Sequence, residues 1–529
     1  VRQQIVLKQM ICYGSFLSRP INSNEPTGEL VTTEPQIQPQ GREDRRRWVA
    51  LVVLCAGFLM IILDQTIVNV ALPSIQSDLH FSQSNLAWVV NAYLIAFGGL
   101  LLLVGRLGDL IGRRRIFLAG LTLFTTASLL CGLADSQALL IGARFVQGIG
   151  GAMTAAVILG MIVTMFPKPS EQAKAISVYS FVAAAGGAVG LLMGGVLTQA
   201  INWHWIFFVN LPIGIATGVF ATRLLPNDPG IGLDKGADAP GAVLLVSSLM
   251  LAVYTIVEAG HFGWGSAHTL GFGAVAVALL AGFIARQATA ANPLMPLRVF
   301  RNRQVTFANV IQMLFVAGLF GMFFLGALEM QRVLHYDAVE VGLAFLPVAL
   351  GIAALSLGFA ARLIMRFGAK PTLVAGTALA AVALLLFRNA PVHAQYLPDL
   401  FPTMVLLGVG AGLAFPSLMT IAMSSATPED AGIASGLVNT TQQVGGALGL
   451  AVLATLSSTH STNLLGQGDS IASALTSGYH LAFTIGAVLV TVGLVLAIFG
   501  LRSGPRIAED SVTEEEPAFG EAVVLEEAA

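Results

Sequence analysis

Apolar stretches of about twenty residues recur along the whole chain, separated by short polar loops. Each is long enough for one helix to cross a bilayer, and fourteen are found. They run roughly over 48–71, 86–105, 116–134, 138–165, 174–199, 205–222, 241–258, 268–286, 305–329, 340–361, 371–387, 399–424, 431–456 and 478–500. In hydrocarbon every backbone N–H and C=O must find its partner inside the protein, so such stretches fold as helices. The expected class is an all-α polytopic membrane protein with the lipid bilayer as its solvent. Charged residues make up 11% of the chain, against about a quarter in soluble domains. A net charge of −2 supplies no field for nucleic acid. Cys12, Cys55 and Cys131 are scattered singly and fit neither a disulfide framework nor a metal site.

Charge in the loops orients the chain. Loops after even-numbered spans hold fifteen Lys and Arg residues, and loops after odd-numbered spans hold two, Arg332 and Arg388. The positive-inside rule then places both termini in the cytoplasm. Residues 1–47 read as a polar cytoplasmic tail without a cleavable signal peptide, and 501–529 as an acidic, solvated one.

The loop between spans 2 and 3 reads Gly105-Arg106-Leu107-Gly108-Asp109-Leu110-Ile111-Gly112-Arg113-Arg114-Arg115. Its glycines permit a tight turn and its arginines hold it at the cytoplasmic face. This G-x-L-x-D-x-x-G-R-R pattern resembles the loop signature of the major facilitator superfamily. The chain also repeats itself. Gly186-Gly187-Ala188-Val189-Gly190-Leu191 returns 259 residues on as Gly445-Gly446-Ala447-Leu448-Gly449-Leu450, Arg106, Leu107 and Gly112 return 256 on as Arg362, Leu363 and Gly368, and Gly148-Ile149-Gly150 returns 260 on as Gly408-Val409-Gly410. Two six-helix halves, 48–222 and 305–500, are therefore expected to flank an insert, 223–304, carrying two extra helices. In such repeats substrate sits between the halves. With Leu63-Asp64-Gln65-Thr66-Ile67-Val68-Asn69 in span 1, Arg144-Phe145-Val146-Gln147-Gly148 in span 4, and Trp205 to Pro212 opening span 6, residues 45–503 resemble the fourteen-span drug:proton antiporters (EmrB/QacA-like).

Asp64 lies deep in span 1, and Arg144 is the basic residue inside span 4 at a similar depth. Neither charge tolerates isolation in a membrane. Asp64 is expected to couple protons, paired with Arg144; a static structural ion pair is the alternative. An arginine beside a carboxylate favours its ionised form, and separation favours the protonated one. The resemblance also implies proton coupling at this aspartate. Gln65 and Asn69 share a polar face with Asp64, as Gln147 shares one with Arg144. Trp88, Asn91, Tyr93, Gln312, Asn439, Gln442 and Gln443 are further polar or amphipathic groups in apolar runs, either lining a cavity or bonding between helices. Glu329 ends span 9 as a rim charge or a selectivity group for cations. The eight histidines map outside or near the outer surface, with no metal spacing.

Gly186, Gly190, Gly194 and Gly195 form a ridge for close helix packing, and Gly445, Gly446 and Gly449 form its repeat. It resembles the family's antiporter signature, except that Leu191 stands where the family has proline. The resemblance further implies that Asp109, within the Gly105–Gly112 turn and its Arg113 and Arg114, latches onto the start of span 13 when the cytoplasmic gate is shut; a solvated loop acid is the alternative.

No ATP-binding loop occurs, so the expected energy source is an ion or substrate gradient and no cofactor is expected beyond the proton. These residues read as a proton-driven exporter of small amphipathic or hydrophobic compounds, such as a drug or antibiotic, and not as an enzyme. A proton-coupled importer or carrier of an endogenous lipid or metabolite shares the same features, and so does a non-transporting sensor or scaffold. A periplasmic adaptor stays open.

Overall fold

Helix follows helix with no strand among the described residues. The computed structural model describes residues 40–227, 229–230, 232, 236–355, 359–424 and 431–502. The expected tails at 1–39 and 503–529 lie outside them. Contacts divide the chain into two units, 1–45 and 46–529, and the helical bundle belongs to the second.

The helices are α1 (Gln40–Leu79), α2 (Gln83–Ile111), α3 (Arg113–Gly132), α4 (Gln137–Met165), α5 (Pro169–Ala200), α6 (Trp205–Phe208), α7 (Asn210–Leu224), α8 (Ala239–Phe262) and α9 (Ala267–Thr289). They continue as α10 (Arg303–Arg332), α11 (Ala338–Ala354), α12 (Ala360–Phe367), α13 (Ala369–Arg388), α14 (Phe401–Ser424), α15 (Ala431–Gly466) and α16 (Ile471–Gly500). The described residues of each expected span are largely helical, with 205–222 divided between α6 and α7, and α11 and α12 falling in and around 340–361. Eleven helical stretches among the described residues are long and apolar enough to cross a membrane. Large apolar side chains such as Ile215, Phe220, Leu270, Val277, Val488 and Phe499 face outward. A surface of that kind suits lipid rather than water.

Local chemistry explains where helices start. Ser82, Asp238, Ser266, Asn302, Asp337 and Ser470 each cap an amide of the next helix, and Asp337 forms a reciprocal capping box with Glu340. The repeat is visible in backbone geometry. Gly112 separates α2 from α3 at φ 109°, and Gly368 separates α12 from α13 at φ 96°. Only glycine adopts such angles without strain. Two residues beyond each, a cation covers a helix C-terminus: Arg114 donates to Thr222 O near the end of α7, and Lys370 donates to Ile498 O (2.8 Å) and Leu501 O (2.7 Å) at the end of α16. Positive charge there offsets the unsatisfied carbonyls.

The expected glycine ridges lie where backbones meet. A Cβ on Gly186 would come within 3.0 Å of Leu59, one on Gly190 within 3.0 Å of Leu63 O, and one on Gly194 within 2.6 Å of Ile67 O, so α5 is pressed onto α1. Gly445, Gly446 and Gly449 repeat this against Met313, Phe320 and Ala317 of α10. Gly195 instead faces Ala338 O (2.5 Å) of α11, and Leu191 turns its carbonyl to Gly342 of the same helix. Leu191, in place of proline, is thus part of a continuous α5 and of the joint between the halves.

Helices α2 and α15 form the other joint, where Gly98 lies against Gln443 and Gly436 against Leu102. The inserted helix α8 packs on both members of this pair, with Val246 against Gly99, while α9 packs on α8. Polar ties between helices before residue 223 and helices after residue 304 gather at the end away from the Gly105–Arg115 turn. Gln331 donates to Val70 O (2.9 Å), Arg332 to Gln76, Gln199 to Asp337 (3.0 Å) and Gln83 to Ser457 (3.4 Å). Four side-chain hydrogen bonds among the described residues thus cross that far end.

Candidate functional site

Asp64 sits in α1 with no exposed surface, and Arg144 of α4 is 1% exposed. Arg144 Nη1 donates to Asp64 Oδ2 at 2.5 Å. Asp64 Oδ1 accepts from Gln147 Nε2 (2.8 Å) and Asn210 Nδ2 (3.0 Å). The carboxylate therefore has three donors, each from a different residue. Behind them Ser128 Oγ of α3 accepts from both amides, at 2.6 Å from Gln147 and 3.2 Å from Asn210. Arg144 also donates to Gln147 Oε1 (2.6 Å) and Val89 O (3.0 Å), and its guanidinium lies over the rings of Tyr93 (4.4 Å) and Phe207 (5.7 Å). Cation–π contact and hydrogen bonds together replace the water that the guanidinium has lost.

The expected pairing of Asp64 with Arg144 is present. Its surroundings differ from a polar face turned to water. One residue along a helix rotates the side chain by about 100°. Asp64 points inward to α3, α4 and α7, while Gln65 and Asn69 stay half-buried. Asn69 Nδ2 folds back onto Gln65 O (3.2 Å) and Thr66 O (3.4 Å) of its own helix. Gln147 belongs to the sealed site and lines no open space.

The remaining candidates divide. Tyr93 is at the site, stacked against Arg144, and Asn91 and Trp88 are buried on the same helix, Asn91 with neither amide atom partnered. Gln312 and Gln442 bond to each other between α10 and α15 (3.4 Å). Gln443, with Oε1 unpartnered, and the half-buried Asn439 lie on α15 as well. The rim reading of Glu329 is corrected: its residue is 3% exposed, because α16 covers the end of α10. Nearest it is His480 at 3.7 Å, so one of the histidines expected at the surface has a buried partner.

The Asp109 side chain is 43% exposed and accepts from Arg113 Nε (3.2 Å) and Nη2 (2.9 Å). Arg113 also donates to Gly160 O of α4 (2.9 Å). Residues 425–430, which lead into the start of α15, lie outside the described residues, and with them the expected latch. A Cβ on Gly105 would meet nothing within 4 Å, so no close approach requires glycine there.

Asn210 and Ser128 are the site residues that sequence reading left out. Asn210 stood in view within the Trp205-to-Pro212 string, but a lone amide in an apolar run looks the same whether it meets a carboxylate or a helix backbone. Ser128 carries no signal of its own.

The sequence model of the Major Facilitator Superfamily matches residues 54–450, and aligns a second time over 313–525. The chain belongs to the major facilitator superfamily. It is an integral membrane transporter of that superfamily and not an enzyme. It is 39% identical over 485 residues to a puromycin resistance protein of Streptomyces alboniger, covering 90% of this chain and 96% of that one. It is 38% identical over 457 residues to a cephamycin export protein of Amycolatopsis lactamdurans, covering 84% and 91%. Among solved structures, it resembles a bacterial homologue of the human lysosomal transporter Spinster in an inward-facing, unoccupied conformation, with TM-score 0.61 at 16% identity over 86% of this chain and 97% of that one. The POT family transporter PepTSo gives TM-score 0.63 at 13% identity over 85% and 98%. These likenesses show the superfamily fold.

Proposed function

We propose that this transporter exports small amphipathic or hydrophobic compounds, antibiotics among them, from the cytoplasm in exchange for protons. The carrying observation is the sealed Asp64–Arg144 pair, one carboxylate holding three donors where no water reaches. The resistance and export roles in the names of full-length relatives support the direction of transport.

The architecture of the proposal is fourteen spans in a bacterial cell membrane, both termini cytoplasmic, with 48–222 and 305–500 as rocking halves and 223–304 as insert. The far end is then the outer face, and its four ties describe an outer gate that is shut. When those ties part, a proton from outside reaches Asp64. The protonated carboxyl no longer balances Arg144, whose charge must find other acceptors, and Gln147 and Asn210 re-aim with it. That imbalance favours the return to the inward-open state, where the proton leaves to the cytoplasm. A static ion pair would be indifferent to the gradient.

The test is a drug-susceptibility panel in a host lacking its own pumps, with efflux followed in vesicles under an imposed pH gradient. Export that needs a proton gradient in wild type and is lost in Asp64→Asn supports the reading. Uptake driven by the same gradient would make the protein an importer. Wild-type, uncoupler-sensitive export by Asp64→Asn would remove Asp64 from the mechanism.

A further inference from the structure

Glu329 is the acid of α10, and its surroundings differ from those of Asp64. Asp64 accepts three hydrogen bonds. Glu329 is as deeply buried, yet its Oε2 has no partner. Its Oε1 lies 3.7 Å from His480 Nε2 of α16, a nitrogen that likewise makes no hydrogen bond. An unpaired carboxylate oxygen away from water is costly, as any orphaned buried polar group is. A proton taken up by this pair either makes the buried carboxyl neutral or gives the imidazole beside it the charge that balances it.

The neighbours leave room for that proton. Arg332, one turn along α10, donates to Gln76 of α1. Tyr479 on α16 feels both Glu329 and Arg332, and Arg388 at the end of α13 acts on His480 through its charge. His460 of α15 is held by Ser477 at 3.1 Å. From α11 and the segment before α14, Glu340 and Asp399 accept from the amides of Asp337 (2.9 Å) and Gln395 (2.8 Å). His480, a cation only when protonated, is thus the basic side chain within ion-pair distance of Glu329 among the described residues.

We propose that Glu329 and His480 form a second proton-binding site, separate from the Asp64–Arg144 pair. Glu329 lies two and three residues before Gln331 and Arg332, which tie α10 to α1 across the far end. Filling the site therefore bears on the same turn of helix that carries those ties. His480, with a quarter of its side chain exposed, is the route by which the proton arrives. Proton binding at these two groups is read without substrate and does not depend on export.

The experiment is pH-difference infrared spectroscopy on detergent-purified full-length protein, from about pH 9 down to about pH 5, a range that brackets imidazole titration. Wild type should gain the carbonyl band of a protonated carboxyl. Glu329→Gln should lose that band, and Asp64→Asn should keep it. His480→Asn should move its midpoint by about one pH unit or more, a tenfold change in proton affinity. An undiminished band in Glu329→Gln, or its loss in Asp64→Asn alone, overturns the proposal. Should Glu329→Gln not fold, the His480→Asn midpoint decides, and an unmoved midpoint overturns the proposal equally. Failure of Asp64→Asn to affect efflux would sink the export mechanism while leaving this reading untouched.

Discussion

Asn210 donates its side-chain amide to Asp64 across 3.0 Å, although 146 residues separate them along the chain. The contact joins the start of α7 to the middle of α1 and shares Ser128 with Gln147. Each group around the carboxylate is thereby positioned by another.

Removing one charge of the central pair should be costly and removing both much less so. Asp64→Asn leaves Arg144 buried without its counter-ion, a loss of about 3–5 kcal/mol. The double change with Arg144→Gln should recover most of the melting temperature but not coupled transport. A double-mutant cycle on detergent melting, beside vesicle efflux, measures this. Strictly additive losses would show no pairing.

Asn210→Ala should destabilise by about 1.5–3 kcal/mol, the usual worth of a hydrogen bond to a charged group. It should also shift the pH profile of efflux, because one of three donors to the carboxylate is gone. Ser128→Ala, one step removed, should do less of both. A stability loss with an unaltered pH profile would leave Asn210 as a strut only.

Gly194→Leu should destabilise by about 1–3 kcal/mol or block insertion, since a side chain there runs into the backbone of Ile67. Gly187→Ala, two turns away with nothing within 4 Å of the added Cβ, should stay within about 0.5 kcal/mol of wild type. Equal effects on melting at the two glycines would mean that α5 does not press on α1.

Asp238, outside the expected span, caps α8 and accepts from Arg286 Nε (2.9 Å), Gln287 Nε2 (2.8 Å) and Gly241 N (3.0 Å). Burial pushes its carboxyl up, but these hydrogen bonds and the Arg286 charge outweigh it and hold the group below the usual carboxylate range. A depressed carboxyl contributes stability above its unfolded value, near 3.9, and loses it as pH falls through the folded one. Protection against hydrogen exchange at the start of α8, corrected for the intrinsic pH dependence of amide exchange, should therefore fall below about pH 4 in wild type. In Asp238→Asn that protection should be low throughout and should not change over the same range.

Cysteine placed at Gly263, after α8, should react with an impermeant thiol reagent added to intact cells, and cysteine at Asn227, after α7, should not. The native Cys55 and Cys131 are buried and give little background. Labelling at Asn227 would invert the proposed orientation.

Much of the site was legible because a bilayer forbids isolated charge. Asp64 and Arg144 had to meet something, and equal depth made each the other's candidate. The glycine ridges and the turns at Gly112 and Gly368 were legible for a similar reason, as glycine at those spacings signals close packing or positive φ. Glu329 was misread because position along a helix says nothing of what covers it. The turn at its end of α10 faces α16 and His480, a neighbour supplied from 151 residues further along the chain.

Hydropathy along the chain, taken alone, determined that this protein is a set of membrane-length helices and which charges are confined in lipid. Those are one-dimensional properties, because transfer into hydrocarbon depends on composition and length. Rotation of each helix about its axis, and the choice of partner, belonged to the tertiary structure. That packing turned Asp64 away from Gln65 and Asn69 and toward Gln147, Asn210 and Ser128. It also set α8 onto the α2–α15 joint and left Glu329 beside a single imidazole. Side-chain contacts among helices depend on which faces meet, and periodicity without a neighbour leaves that open.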